Sequence, residues 1–299
     1  MTKRADSRES RSGQRGQSDL EGQSDRGGGD PAGESQAPIR IGVGGWTYED
    51  WRGSFYPEGL VQKRELEYAS RRLTSIEING TFYRSQKPES FERWRDETPP
   101  GFVFSLKAPR YATQRRVLAE AGPSIERFVA SGLTRLQDRL GPINWQLPPT
   151  TRFDAADMAA FLEMLPKSFD GLALRHAIEA RHDSFRAPEF FALAREHGVA
   201  IVLAADSKYP CIDDTGAPPG TGADFVYARI MGTRDDEAAG YSAAALDAWA
   251  ARARQWATGP AAREVFLYVI SGFKARNPAA AMALMERLGA APPEIRLTL

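Results

Sequence analysis

Glu77 and Asn79 stand two residues apart, as do Glu179 and Arg181, and as do Tyr227 and Arg229. The first two pairs close short apolar runs and the third lies within one, and residues two apart share one side of a β-strand. Lys107, Gln146 and Asp206 close three further runs of the same kind. A carboxylate taken out of water beside a cation has its pKa shifted, which is how enzymes prepare acids and bases. In that reading Glu179 or Glu77 is the general base and His182 its partner acid. Lys107, Arg181 and Arg229 hold a phosphate or carboxylate, since guanidinium matches such oxyanions bidentately. Asn79, Gln146, Asp206 and Tyr227 complete the polar lining. Trp46, Tyr48 and Tyr83 lie nearest to strand ends and are the candidate stacking contacts for a ring. A competing reading stays open: the same charges could form a mutually satisfied ion-pair network, and the aromatic groups a hydrophobic plug.

Other chemistries have no pattern to stand on. One Cys (Cys211) and three His offer no zinc spacing. Glu77, Glu179 and Asp206 could face a divalent cation, but the interleaved Lys and Arg oppose it, so neither metal nor cofactor is expected. Gly42-Val43-Gly44-Gly45-Trp46 lacks the third glycine of a dinucleotide turn and meets Trp46 where a helix should start. It reads instead as a tight turn that lets Trp46 and Tyr48 reach over a site. No phosphate-loop or Gly-x-Ser-x-Gly elbow occurs. His197, before Gly198, reads as a helix C-terminal histidine.

Eight runs with β character must position these groups: 39–44, 75–79, 102–107, 142–147, 174–180, 199–206, 224–231 and 265–271. Helical stripes lie between them. Leu66, Ala69 and Leu73 make one, and Ile125, Phe128, Val129, Leu133 and Leu136 a second. Met158, Phe161, Leu162 and Leu165 make a third, opened by Asp154 as N-cap. Leu246, Trp249, Ala250 and Ala253 make a fourth. The last has Asn277 as N-cap, Pro278 at N1 and a stop at Gly289. Alternating strands and helices predict an α/β fold with a parallel sheet. Eight strands in about 260 residues predict a (β/α)8 TIM-barrel-like domain, with a doubly wound open sheet as the competitor. In a barrel the polar strand ends converge at the C-terminal mouth.

The 299 residues divide at about Pro38. Residues 1–38 hold one large aliphatic residue, Leu20, and no aromatic, so a disordered tail is expected there and a single domain over 39–299. Lys+Arg and Asp+Glu both number 39, which gives no general attraction to nucleic acid or membrane. The longest apolar stretch, about Val199 to Ala205, is far short of a membrane span, and the single cysteine fits a reducing compartment. A cytoplasmic protein with no membrane partner is the expectation.

The motifs resemble those of the domain of unknown function 72 group, the YecE-like proteins, over nearly everything after Pro38. Gly44-Gly45-Trp46-Thr47-Tyr48, Trp51-Arg52-Gly53 and Phe55-Tyr56-Pro57 are similar to its opening motif. Glu77 through Arg84 is similar to its second. Trp94, Thr98-Pro99, Phe104, Lys107, Gln146-Leu147-Pro148-Pro149 and Glu179 through Ser184 continue it in order. The resemblance implies a TIM-barrel-like fold with a polar cleft at the strand ends, and no established reaction. Thr113-Gln114, Met231 and Ser271-Gly272 stand where the resemblance leads one to expect Thr-His, a histidine and paired asparagines; Phe185 replaces a common Trp. Three functions follow as expectations. The first is an enzyme on a small anionic metabolite, with hydrolysis or isomerisation by analogy of fold. The second is a non-catalytic ligand-binding or regulatory barrel, which the missing histidines favour. The third, a nucleic-acid-associated protein, is opposed by the neutral net charge.

Overall fold

The β-branched and aromatic runs become the strands of one parallel sheet in the computed structural model, which describes residues 36–216 and 222–290. Ile39–Gly44 forms β1, Ser75–Ile78 β2, Val103–Lys107 β3 and Leu140–Gln146 β4. Ser168–Phe169 (β5) and Leu172–Ala173 (β6) make a small antiparallel ribbon of their own. His176–Glu179 (β7), Ala200–Ile201 (β8), Leu203–Ala205 (β9), Phe225–Ile230 (β10) and Glu264–Val269 (β11) complete the large sheet. Its order is β8-β7-β4-β3-β2-β1-β11-β10-β9.

The two edges of that order are successive pieces of one segment. Ala200 and Ile201 pair with β7, while Leu203, Ala204 and Ala205 pair with β10. Between them the Val202 N–H donates to Ile178 O at 2.9 Å. One chain segment therefore holds both edges, and the sheet curls into a barrel of eight staves. A doubly wound sheet would keep its edges on different segments, so that competitor is excluded.

Period-two alternation sorts the side chains. Val103, Ala177, Ala200, Val202, Phe225, Tyr227, Phe266, Tyr268 and Ile270 pack together inside the barrel. The alternate residues, among them Ile76, Ile78, Phe104, Leu106, Val226, Ala228, Val265 and Leu267, pack outward in the larger core that the helices cover. All eight staves are parallel, so rising residue number means rising height. Phe225, Tyr227 and Arg229 climb one stave, and Val103, Ser105 and Lys107 another. At half height the Tyr268 hydroxyl pairs with Ser75 Oγ (2.7 Å) and Ser105 Oγ (2.6 Å). The inside thus passes from apolar through hydroxyl to charged toward the mouth.

The helices follow the stripes, with two corrections. Asp154 caps Ala155–Glu163 by accepting from the Asp157 N–H at 2.9 Å. The stripe from Ile125 to Leu136 is two elements, Gly122–Val129 and the 3-10 helix Leu133–Arg139, because Gly132 adopts φ 99° between them. In the last helix, Asn277–Leu288, Asn277 is not the N-cap: the 3-10 turn Lys274–Arg276 runs straight into the helix and Lys274 O takes the Asn277 N–H. Asn277 Oδ1 instead accepts from Thr233 Oγ1 at 2.8 Å. Gly289 ends it at φ 63°, as expected. The expected disordered tail falls, up to residue 35, outside the described residues.

Candidate ligand site at the barrel mouth

Period two aims Glu77, Glu179 and Arg229 inward from β2, β7 and β10, and all three are buried. Arg229 bridges the carboxylates, donating to Glu77 Oε1 at 3.0 Å and to Glu179 Oε2. The Tyr227 hydroxyl donates to Glu77 Oε2 at 2.6 Å. Arg181 Nε donates to Glu179 Oε1 at 2.7 Å, and its Nη2 to Gln146 Oε1 at 2.9 Å. Asn144, which the sequence reading passed over, directs its Nδ2 at both Glu77 (3.4 Å) and Glu179 (3.3 Å). Its place two residues before Gln146, on the same face of β4, is the signal that would have found it. Tyr209, whose ring lies 4.5 Å under the Arg181 guanidinium, sits in a loop with no such signal.

Electrostatics divide the charged groups by role. Burial works against ionised Glu179, but Arg229, Arg181 and Lys107 outweigh it and hold the carboxyl at about 2. That is a poor proton acceptor at neutral pH. Arg229 also loses by burial, yet its two carboxylates keep it firmly charged. Lys107 differs. It is 8 % exposed, sits beside Asn144 in the β3–β4 register, and has no carboxylate oxygen within 4.0 Å among the described residues. Its Nζ rests 4.1 Å from the Phe82 ring centroid. Burial, reinforced by Arg229, lowers its pKa to about 8. Three cations face two carboxylates here, so the cluster carries one excess positive charge. Asn144 Oδ1 and Arg229 Nε are buried without a hydrogen-bond partner among the described residues.

The aromatic candidates gather beside this floor. Gly45 turns the chain after β1 at φ 76°, a conformation that suits glycine. Trp46, Tyr48, Asn79, Tyr83, Arg84, Gln86 and Trp94 then line a cleft of about 360 Å³ at the ends of β1 and β2. Tyr83 is 64 % exposed. Trp46 and Tyr48 also pack inward: Trp46 meets Trp94 edge-on at 5.4 Å, and the Tyr48 hydroxyl donates to Gly44 O at 2.7 Å.

Two candidates lie apart from the hydrogen-bonded cluster. His182 Nδ1 accepts from the Ser184 N–H at 3.1 Å and pairs with Ser184 Oγ, capping the short turn Asp183–Arg186. Asp206 is exposed at φ 56°, and its Oδ2 accepts from Tyr241 (3.2 Å) and Trp249 (3.3 Å). His176 lies at the other end of β7, where burial lowers its pKa to about 4 and keeps it neutral. Burial raises the Cys211 thiol, which fits a bystander. Of the two positions where histidines were expected by resemblance, Gln114 is exposed and Met231 is buried.

The family model described as "Protein of unknown function DUF72" matches residues 40–298. UPF0759 protein YecE of Escherichia coli (strain K12) is 30% identical over 161 residues, 53% of this chain and 52% of that protein. UPF0759 protein YunF of Bacillus subtilis (strain 168) is 27% identical over 159 residues, 51% of this chain and 54% of that protein. The matched region thus spans about half the length of these curated relatives. A crystal structure of a DUF72 family protein from Thermotoga maritima MSB8 superposes with a TM-score of 0.67 at 22% identity, covering 84% of this chain and 99% of that one. That likeness concerns the fold. No helix among the described residues is long and apolar enough to cross a membrane.

Proposed function

The chain belongs to the DUF72 family, and from that premise we propose that its barrel mouth binds a small anionic metabolite. The observation that carries the reading is the uncompensated positive charge: Glu77 and Glu179 are spent on Arg229 and Arg181, while Lys107 has no carboxylate beside it. A desolvated cation with no counter-ion is costly, and a bound phosphate or carboxylate removes that cost. Lys107 and the free edge of Arg181 are the anion's donors. Arg229 is the brace that holds both carboxylates, and Glu179 is an anchor for the guanidinium groups rather than a base. Trp46, Tyr48, Asn79 and Tyr83, which line the cleft at the ends of β1 and β2, receive the rest of the molecule.

A thermal-shift titration with inorganic phosphate and simple carboxylates tests this, because a ligand of the native state raises the melting temperature by mass action. Phosphate is expected to stabilise the wild type, and Lys107→Met and Arg181→Ala each to weaken it tenfold or more, about 1.4 kcal/mol. Equal shifts in all three proteins would sink the reading.

A further inference from the structure

We infer that Lys107 is an amine nucleophile that forms an imine with a small carbonyl compound carrying a carboxylate or phosphate. The inference rests on the anion-site reading above and names the chemistry of that same site.

Lys107 is placed as such a nucleophile must be. It ends β3 at the barrel mouth, on the inward parity shared with Val103 and Ser105, and is nine-tenths buried yet not sealed. Its backbone is fixed, since Thr81 Oγ1 donates to Lys107 O at 2.7 Å and the Ala108 N–H to Asn144 O at 2.9 Å. Both neighbouring carboxylates have their oxygens occupied: Glu77 by Arg229, Tyr227 and Asn144, and Glu179 by Arg229, Arg181 and Asn144. No carboxylate pairs directly with the ammonium form, which Glu77 and Glu179 favour only from farther off. The Phe82 face, 4.1 Å away, attracts the ammonium through its quadrupole, while Arg229 and Arg181 oppose its charge. With its pKa at about 8, roughly one amine in ten is neutral at pH 7, against fewer than one in a thousand for an ordinary lysine. A desolvated lysine beside other cations is how amine nucleophiles are activated.

The step balances without any redox partner. The nitrogen lone pair attacks the carbonyl carbon, and the C=O π pair moves to oxygen. A proton passes from nitrogen to that oxygen through solvent at the mouth, giving a carbinolamine. The hydroxyl takes a proton from solvent and leaves as water while the nitrogen lone pair forms the C=N bond, and the resulting iminium returns a proton to solvent. One amine and one carbonyl compound become one imine and one water. In this complex Arg181 alone holds the substrate's anionic end, which leaves the Lys107 nitrogen, a donor to simple phosphate, free to meet the carbonyl carbon.

The test uses the full chain, whose six other lysines supply internal references. The protein is incubated at pH 7 with cyanoborohydride and pyruvate, dihydroxyacetone phosphate or formaldehyde in turn, and the reduced adducts are mapped on peptides. An adduct forming at Lys107 more than tenfold faster than at exposed Lys63 and Lys87, with either anionic probe, is expected. Lys107→Arg is expected to abolish it while leaving labelling elsewhere unchanged. Labelling of Lys107 no faster than of Lys63 and Lys87 with every probe would overturn the inference; if phosphate still raises the melting temperature, the anion-site reading survives alone. Selective labelling by formaldehyde only, with no phosphate shift, would overturn the anionic substrate class and the site reading together.

Discussion

Arg229 is the one cation paired with both buried carboxylates, Glu77 and Glu179, the second of which it shares with Arg181, and this makes it the most consequential side chain of the mouth. Replacing it by Met leaves Glu77 buried without its paired cation and Glu179 with Arg181 alone. Arg229→Met is therefore expected to lower the unfolding free energy by about 3–5 kcal/mol, read from urea titration. Glu179 gives a pH signature. Its carboxyl is held at about 2 against an ordinary 4.5, so the unfolded chain binds the proton first. Stability from this group is complete above the higher value and is lost as pH falls through the lower one. The wild type should lose about 3 kcal/mol more than Glu179→Gln between pH 5 and pH 2; parallel pH profiles would show that Arg229 does not hold Glu179 charged. Which residues carry charge into the mouth was legible in the sequence, because parity along a strand is a local property. How they pair was not. That Arg229 would bind both carboxylates and leave Lys107 alone depends on side chains 50 to 152 positions apart meeting across the barrel.

At the scale of elements, the eight staves were readable because each has a buried face on both sides and so forms a continuous apolar run. The β5–β6 ribbon was not, since two-residue strands leave no period to read. Gly132 carried a signal that the apolar stripe overrode: hydrophobic spacing alone joined two helical pieces that a positive φ separates. Asp154 is the simplest local device to test. Its carboxylate takes the Asp157 N–H, and Asp157 in turn accepts the backbone N–H groups of Leu118 (2.9 Å) and Ala119 (2.8 Å). Asp154→Ala should cost about 1 kcal/mol, as N-cap removal does. In thermal unfolding that is a fall of roughly 2–4 °C for a domain of this size. A loss several times larger would mean that the cap also holds the Leu118–Ala119 turn in place.

For the whole molecule, closure is the property no single element reveals. It depends on one segment splitting its pairing between β7 on one side and β10 on the other, and the break at Val202 leaves no mark in hydropathy. The segment just before β1 is held by the same kind of pairing. The Ala37 N–H donates to Ala257 O at 2.8 Å, and Pro38 O accepts from the Val265 N–H at 2.9 Å, so the residues just before β1 are tied to the last helix–strand unit. Residues 1–35 carry almost no apolar side chains to bury. Deleting residues 2–35 is expected to leave the melting temperature and phosphate binding unchanged. Deleting residues 2–38 removes both hydrogen bonds, each worth about 1 kcal/mol, and should lower stability by about 2 kcal/mol while phosphate affinity, set at the opposite end of the barrel, stays the same. If the shorter deletion already destabilised the protein or abolished phosphate binding, the N-terminal segment would be part of the domain rather than an appendage to it.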